Sequence, residues 1–267
     1  IDSEYIKKVV RHAKDAGIKL CNYSVLADLC KEDPDALRDE VARVKRHVDV
    51  AAELGVPVMR HDVSAFRRPH GENGLEYFEK LMPLMVESAG AIADHAAQYG
   101  ITTLIENHGF FANGCDRVER IIRAVNRSNY GLLLDTGNIA CVDEDPAVAA
   151  QRLASKAKMI HLKDFYIRKR DPGDSTLFDC GGHWFRSMAG HYLRGSILAQ
   201  GDLDMWEKSN TQAMTAQSPS SSRALRSRSM RPRWVWTTPA VSGTKCNIVF
   251  LRLYPGATCA RIFLLFG

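Results

Sequence analysis

Paired cysteines are the first thing this chain does without. Its seven cysteines, at positions 21, 30, 115, 141, 180, 246 and 259, include no C-x-x-C pair, so neither a disulfide framework nor a zinc ribbon organises the 267 residues. A reducing, cytoplasmic setting is expected. Long apolar runs are missing too. The opening stretch IDSEYIKKVVRHAKDAG is an amphipathic helical pattern, charged throughout and without the apolar centre of a signal peptide. The most apolar segment, CNIVFLRLYPGATCARIFLLFG, carries Arg252, Arg261 and a Pro-Gly break, so no membrane span is expected. No G-x-G-x-x-G follows the first apolar run, which argues against a dinucleotide fold. Acidic residues vanish at the end: from Ser209 onward there are eight Lys or Arg and no Asp or Glu. The net charge of +5 therefore comes from the tail, and the first 208 residues are slightly acidic.

What is present is a regular alternation. Five apolar runs, GIKLCNYSV (17–25), VPVMRHD (56–62), ITTLIEN (101–107), GLLLDTGN (131–138) and KMIHLKD (158–164), have the continuous character of strands covered on both faces. Helical patterns lie between them. In DPDALRDEVARVKRHVDVAAELG, Leu37, Val41, Val44, Val48 and Ala51 share one face, Asp33-Pro34 opens the helix and Gly55 closes it. GLEYFEKLMPLMVESAGAIADHAAQYG, closed at Gly100, and CDRVERIIRAV behave alike. Such a β-α alternation implies a parallel sheet. Polar residues close each later strand: Arg60-His61-Asp62, Glu106-Asn107-His108, Asp135 to Asn138, and His161 to Asp164. Barrel enzymes build their sites from such strand ends, which favours a (β/α)8 TIM barrel over a doubly wound sheet. The expected architecture is α/β, an incomplete TIM barrel of about five recognisable parallel strands over residues 1–208.

The stretch LIENHG, 104–109, raises the chemical question. If successive strands aim Glu106, Asp135 and His161 at one rim, two oxygens and an imidazole nitrogen converge. Mixed O/O/N ligation suits one divalent ion such as Mn, Mg, Co or Zn, with a fourth ligand or water completing the shell. Plainer roles stay open. A lone carboxylate closing a strand is commonly a helix cap, and His161 inside an apolar strand can serve as a core histidine bonded to a carbonyl. Asp164 and Asp143 fit a cap or loop role better than a ligand role.

LIENHG, LLLDTGN and IHLKDFYIR, in this order and spacing, resemble motifs of the xylose isomerase-like TIM-barrel superfamily, the sugar phosphate isomerases and epimerases. VARVKRHVDVAAELGVPVMR and LRGSILAQGDLD extend the resemblance over most of residues 1–208. It implies that Glu106, Asp135 and His161 hold the metal together with a second Glu from the last strand. It implies substrate-facing roles for His108, Asn138, Lys163 and Arg168, although the family often has His at the place of Asn138. The implied chemistry is proton transfer beside the carbonyl of a small sugar through an enediolate, with Glu106 as one of two catalytic carboxylates.

The last Glu is not found. After GDLD (201–204) the family pattern expects a strand like GYDGPVSIEFEG, but this chain runs WEKSNTQAMTAQSPSSSRALRSRSMRPRW, Ser/Arg-rich and unlike a strand or an amphipathic helix. Back-translating 212–225 and moving the frame by two bases permits Gly-Tyr-Asp-Gly-Pro-Val-Ser-Ile-Glu-Phe-Glu-Gly-Ile. Residues 209–267 are therefore expected to be a basic, non-native tail left by a frame shift. The front also begins inside the helix expected after the second strand, so exposed edges, reduced stability, weak or absent activity and homo-oligomer formation are expected. Two rivals remain: a metal-dependent phosphodiesterase of the endonuclease IV type, which wants more metals and more strand-end histidines, and a nucleic-acid binder using the tail. Nucleic acid is not the expected partner, because the tail's basic residues lack aromatic or helical spacing.

Overall fold

The computed structural model describes residues 2–173, 183–204 and the backbone of a strand at 262–265. Helix α1 (Ser3–Asp15) is capped by Asp2, whose carboxylate accepts from the N–H groups of Glu4 and Tyr5. Next come β1 (Tyr23–Val25), α2 (Pro34–Glu53), β2 (Val58–His61), α3 (Leu75–Ala97), β3 (Thr102–Glu106), α4 (Cys115–Val125), β4 (Tyr130–Asp135), α5 (Pro146–Leu153) and β5 (Ala157–Leu162). Local chemistry sets the helix ends. Asp33 and Asp145 cap α2 and α5 through their side chains, each with proline just inside the helix, where its missing N–H costs nothing. Gly55 and Gly100, at φ of 67° and 68°, reverse the chain just past α2 and α3. Val44, Val48 and Ala51 of α2 are buried, with Leu37 and Val41 packed against the same core.

β1 to β5 pair in parallel in chain order, the expected five-stranded arrangement. Among the described residues the sheet does not close into a full barrel. Three features depart from expectation. The run 17–25 yields only the three-residue β1, since Gly17 turns the chain at φ 66° and Ile18 is exposed. After β5 a small antiparallel sheet forms from β6 (Phe165–Arg168), β7 (Phe185–Arg186) and β8 (Tyr192–Gly195), in the order β6-β8-β7. The far edge of β5 is not open, because β9 (Ile262–Leu265) pairs with it antiparallel. Those four residues are the described part of the tail; residues 205–261, where the expected frame shift and the last metal-binding Glu would be decided, lie outside the described residues.

The sheet is buried on both faces. Most core residues, including Ile105, Leu132, Leu134 and Ile160, pack beneath the helices. On the other face Val58, Leu104, Leu133 and Met159, one from each of four neighbouring strands, form a separate layer. Burial of such side chains stabilises by about 1.5–3 kcal/mol each. Side chains alternate along a strand, so the residues two further on, Arg60, Glu106, Asp135 and His161, share this inner face. They stand on top of the layer.

Candidate metal centre

The ligand atoms of Glu106, Asp135 and His161 all lie within 4.8 Å of one another, and all three residues are buried. Strand pairing produces this convergence. Asp135 is the direct Cα partner of His161, while Glu106 pairs with Leu133, two residues before Asp135 on the same face. His161 Nδ1 lies 3.6 Å from Glu106 Oε1. Asp135 Oδ1 accepts from the backbone N–H of Gly137 and Asn138 at 2.9 and 2.8 Å, whereas its Oδ2 is buried with no hydrogen-bond partner among the described residues. A charged oxygen taken out of water and left unpaired costs several kcal/mol. A divalent cation bound there removes that cost, and two carboxylates with one imidazole are a donor set that Mn, Mg, Co and Zn accept. The residues fit such an ion.

Arg60 makes the group electrostatically coherent. Its Nε lies 2.6 Å from Glu106 Oε2, and its Nη2 lies 2.7 Å from Asp62 Oδ1. Burial pushes the Glu106 carboxyl up, but the Arg60 guanidinium leads the opposing effects, followed by His161 and His108, and holds it well below the usual carboxylate range. Glu106 is therefore charged near neutral pH. His108 Nδ1 lies 3.1 Å from Asp62 Oδ1 and 2.8 Å from Arg60 Nη2, and its ring packs against Phe66 with centroids 4.8 Å apart.

The other expected residues divide. Asn138 donates to Glu106 Oε1 at 3.2 Å and accepts from Lys163 Nζ at 2.7 Å, so both join the cluster. His108 joins through Arg60 and Asp62. Arg168 does not: it projects from β6, half exposed, and pairs with Asp202 at 2.7 Å. Asp164 has the expected loop role, accepting from the N–H groups of Phe165, Gly201 and Leu203, and Asp143 likewise anchors Ser187 and Ala189. Sequence reasoning left Arg60, Asp62 and Asn107 without roles. Asn107 bonds the Asp135 backbone in both directions, donating to its carbonyl at 2.9 Å and accepting from its N–H at 2.7 Å, which locks the ends of β3 and β4 together. The signal for Arg60 was its alternation with Val58 on one strand face.

The turn after β4 is tightly packed. A Cβ on Gly137 would lie 2.8 Å from the Lys163 carbonyl oxygen and 2.9 Å from Lys163 Cβ. Gly137→Ala is expected to cost about 1–3 kcal/mol by forcing that turn away from β5, measured by urea unfolding; an unchanged midpoint would refute the close fit.

A family model described as a xylose isomerase-like TIM barrel matches residues 1–191. The chain belongs to that family. Among curated proteins, none is matched by sequence. Solved structures with a similar fold include the IOLI protein with a bound zinc atom (17% identity, TM-score 0.57, covering 79% of this chain and 70% of that one). Another is a xylose isomerase-like TIM barrel protein from Mycobacterium smegmatis in complex with magnesium (18%, 0.54, 75% and 64%). A third is D-psicose 3-epimerase in the presence of D-fructose (20%, 0.53, 66% and 62%). The chain thus spans less than two thirds of the last two. At these identities the likeness speaks for the fold of this xylose isomerase-like chain. No described helix is long and apolar enough to cross a membrane.

Proposed function

We propose that this chain is built as a divalent-metal-dependent isomerase or epimerase of a small ketose, with one ion held by Glu106, Asp135 and His161. The observation that carries it is the buried, unpartnered Asp135 Oδ2 inside a three-ligand cluster at the carboxyl ends of adjacent parallel strands. Family membership and solved neighbours with bound zinc, bound magnesium or epimerase activity support it. A bound divalent ion supplies Lewis-acid polarisation of a substrate carbonyl. The protein does the rest. Arg60 keeps Glu106 in the charged form that binds a cation and accepts a proton. Asn138, held by Lys163, fixes Glu106 Oε1, and Asn107 fixes the backbone of Asp135. The phosphodiesterase alternative is less well supported, since its chemistry uses two or three ions and one ligand cluster is found among the described residues.

The test is metal counting followed by proton exchange. One Mn, Co, Mg or Zn ion per chain is expected, together with ion-dependent incorporation of solvent deuterium beside the carbonyl of a ketose, followed by NMR and lost in Glu106→Gln. Two or more ions per chain, or exchange that survives complete chelation, would reject the proposal.

A further inference from the structure

Asn138 is the crossing point of the centre. Its backbone N–H donates to Asp135 Oδ1 at 2.8 Å, and its carboxamide donates to Glu106 Oε1 at 3.2 Å while accepting from Lys163. One residue thus touches two of the three ligands. Its remaining polar group, the backbone carbonyl, accepts from Asn113 Nδ2 at 2.6 Å. Glu106 Oε2 lies 2.6 Å from Arg60 Nε, which leaves Oε1 as the oxygen open to an ion, and the Asn138 carboxamide orients that oxygen.

Asn113 stands two residues before α4, completely buried. Its Nδ2 also donates to the Gly109 carbonyl at 2.9 Å, so one nitrogen commits both of its N–H groups to carbonyls of two different loops. Its Oδ1 is buried with no hydrogen-bond partner among the described residues. An amide oxygen left unpaired in the interior costs stability, so what the position gains lies in the two donated bonds. The Gly109 end is fixed: at φ 74° its backbone passes so close to Phe66 that a Cβ would lie 2.8 Å from the Phe66 carbonyl oxygen. Asn113 therefore ties Asn138 to an immobile point. The start of α4 has anchors of its own, since Cys115 N–H donates to Glu144 Oε2 at 3.1 Å and Arg117 donates to the Phe111 carbonyl at 2.7 Å. Of the three bonds in series, at 2.9, 2.6 and 3.2 Å, the longest is the one to Glu106, and it is the first to break when the turn shifts.

We propose that Asn113 is a positioning residue of the metal centre: through the Asn138 carbonyl it keeps that residue's carboxamide on Glu106 and its N–H on Asp135, and so raises the affinity of the site for a divalent ion. This rests on the metal-site proposal above and adds to it a residue outside the ligand set. Asn129 supplies the control. Its Nδ2 likewise donates to two carbonyls, those of Ala93 and Ile101 at 2.7 and 3.2 Å, but directly before β4, at the opposite end of the sheet from the cluster. Mn is titrated calorimetrically into the parent, Asn113→Ala and Asn129→Ala chains, and each is unfolded in urea without metal. Both variants are expected to unfold at lower urea than the parent. Asn113→Ala alone is expected to bind Mn about tenfold more weakly and to change the EPR spectrum of the Mn-saturated chain, whose zero-field splitting follows ligand geometry. The loss of affinity should shrink in an Asn138→Ala background, because the two residues act in series. Asn113→Ser, which keeps one donor, is expected to lose less affinity, and it takes the place of the alanine variant if that chain does not fold. Parent-like Mn affinity in the Asn113 variant, an equal loss in Asn129→Ala, or full additivity with Asn138→Ala overturns the inference while leaving the metal site standing. A parent chain that takes up no Mn removes the metal site and the inference together.

Discussion

Replacing Arg60 with methionine is expected to lower stability toward urea by about 3–5 kcal/mol at pH 7, because one substitution takes the guanidinium from two buried carboxylates, leaving them only histidine and asparagine contacts. Glu106 and Asp62 have side chains 0% and 5% exposed, and Arg60 lies 2.6 and 2.7 Å from them. The dependence on pH should change sign. In the parent chain the Glu106 carboxyl is held below its usual range, so its stabilisation is present above the unfolded value of about 4.3 and is lost as pH falls through the lower folded value. Without Arg60 the raising effect of burial loses its chief opponent. The folded value should then exceed the unfolded one, and acidification from pH 7 towards 5 should recover stability in the variant. Adding Glu106→Gln to Arg60→Met should restore part of the loss at pH 7 and flatten the profile. A deficit that is constant across pH, or below about 1 kcal/mol, would show that the pair contributes only as a solvated surface bridge does.

The centre of this fold was legible because its strands are covered on both sides. Continuous apolar runs at 56–62, 101–107, 131–138 and 158–164 mark β2 to β5, and Asp33-Pro34 and Gly55 mark the ends of α2. Glu106, Asp135 and His161 stood out because a charge ending a buried strand needs a reason. Arg60 was harder to assign, since its partner depends on the register that sets it opposite Leu104, two residues before Glu106. Register between strands joined by a helix is a tertiary property. The sheet of β6, β7 and β8 was illegible for another reason: strands of two to four residues are too short to display a period. Arg168 resembled a substrate contact, but Asp202, 34 residues later in the chain, takes its guanidinium.

Asp135→Asn is expected to separate what the centre does for metal from what it does for the fold. The amide oxygen can keep the bonds that Oδ1 accepts from Gly137 and Asn138, while an NH2 group replaces the unpartnered Oδ2. That exchange removes a carboxylate charge that the metal-free chain buries with one of its two oxygens unpartnered, so the metal-free variant should be as stable as the parent or more stable by about 1–2 kcal/mol. Metal binding should move the other way. Asparagine offers neither the charge nor the second oxygen, and loss of a direct ligand should weaken binding by at least the roughly 10- to 100-fold typical of removing a supporting residue. At a metal concentration about 100 times the parent dissociation constant, the parent gains about 2.7 kcal/mol from binding, and a variant weakened roughly 10- to 100-fold should gain no more than about 1.4 to 0.4 kcal/mol. Unfolding both chains with and without Mn reads all four quantities. If the metal-free variant were much less stable than the parent, Asp135 would be acting as a turn anchor whose charge the fold itself requires, and the orphaned oxygen could no longer be read as a place kept for a cation.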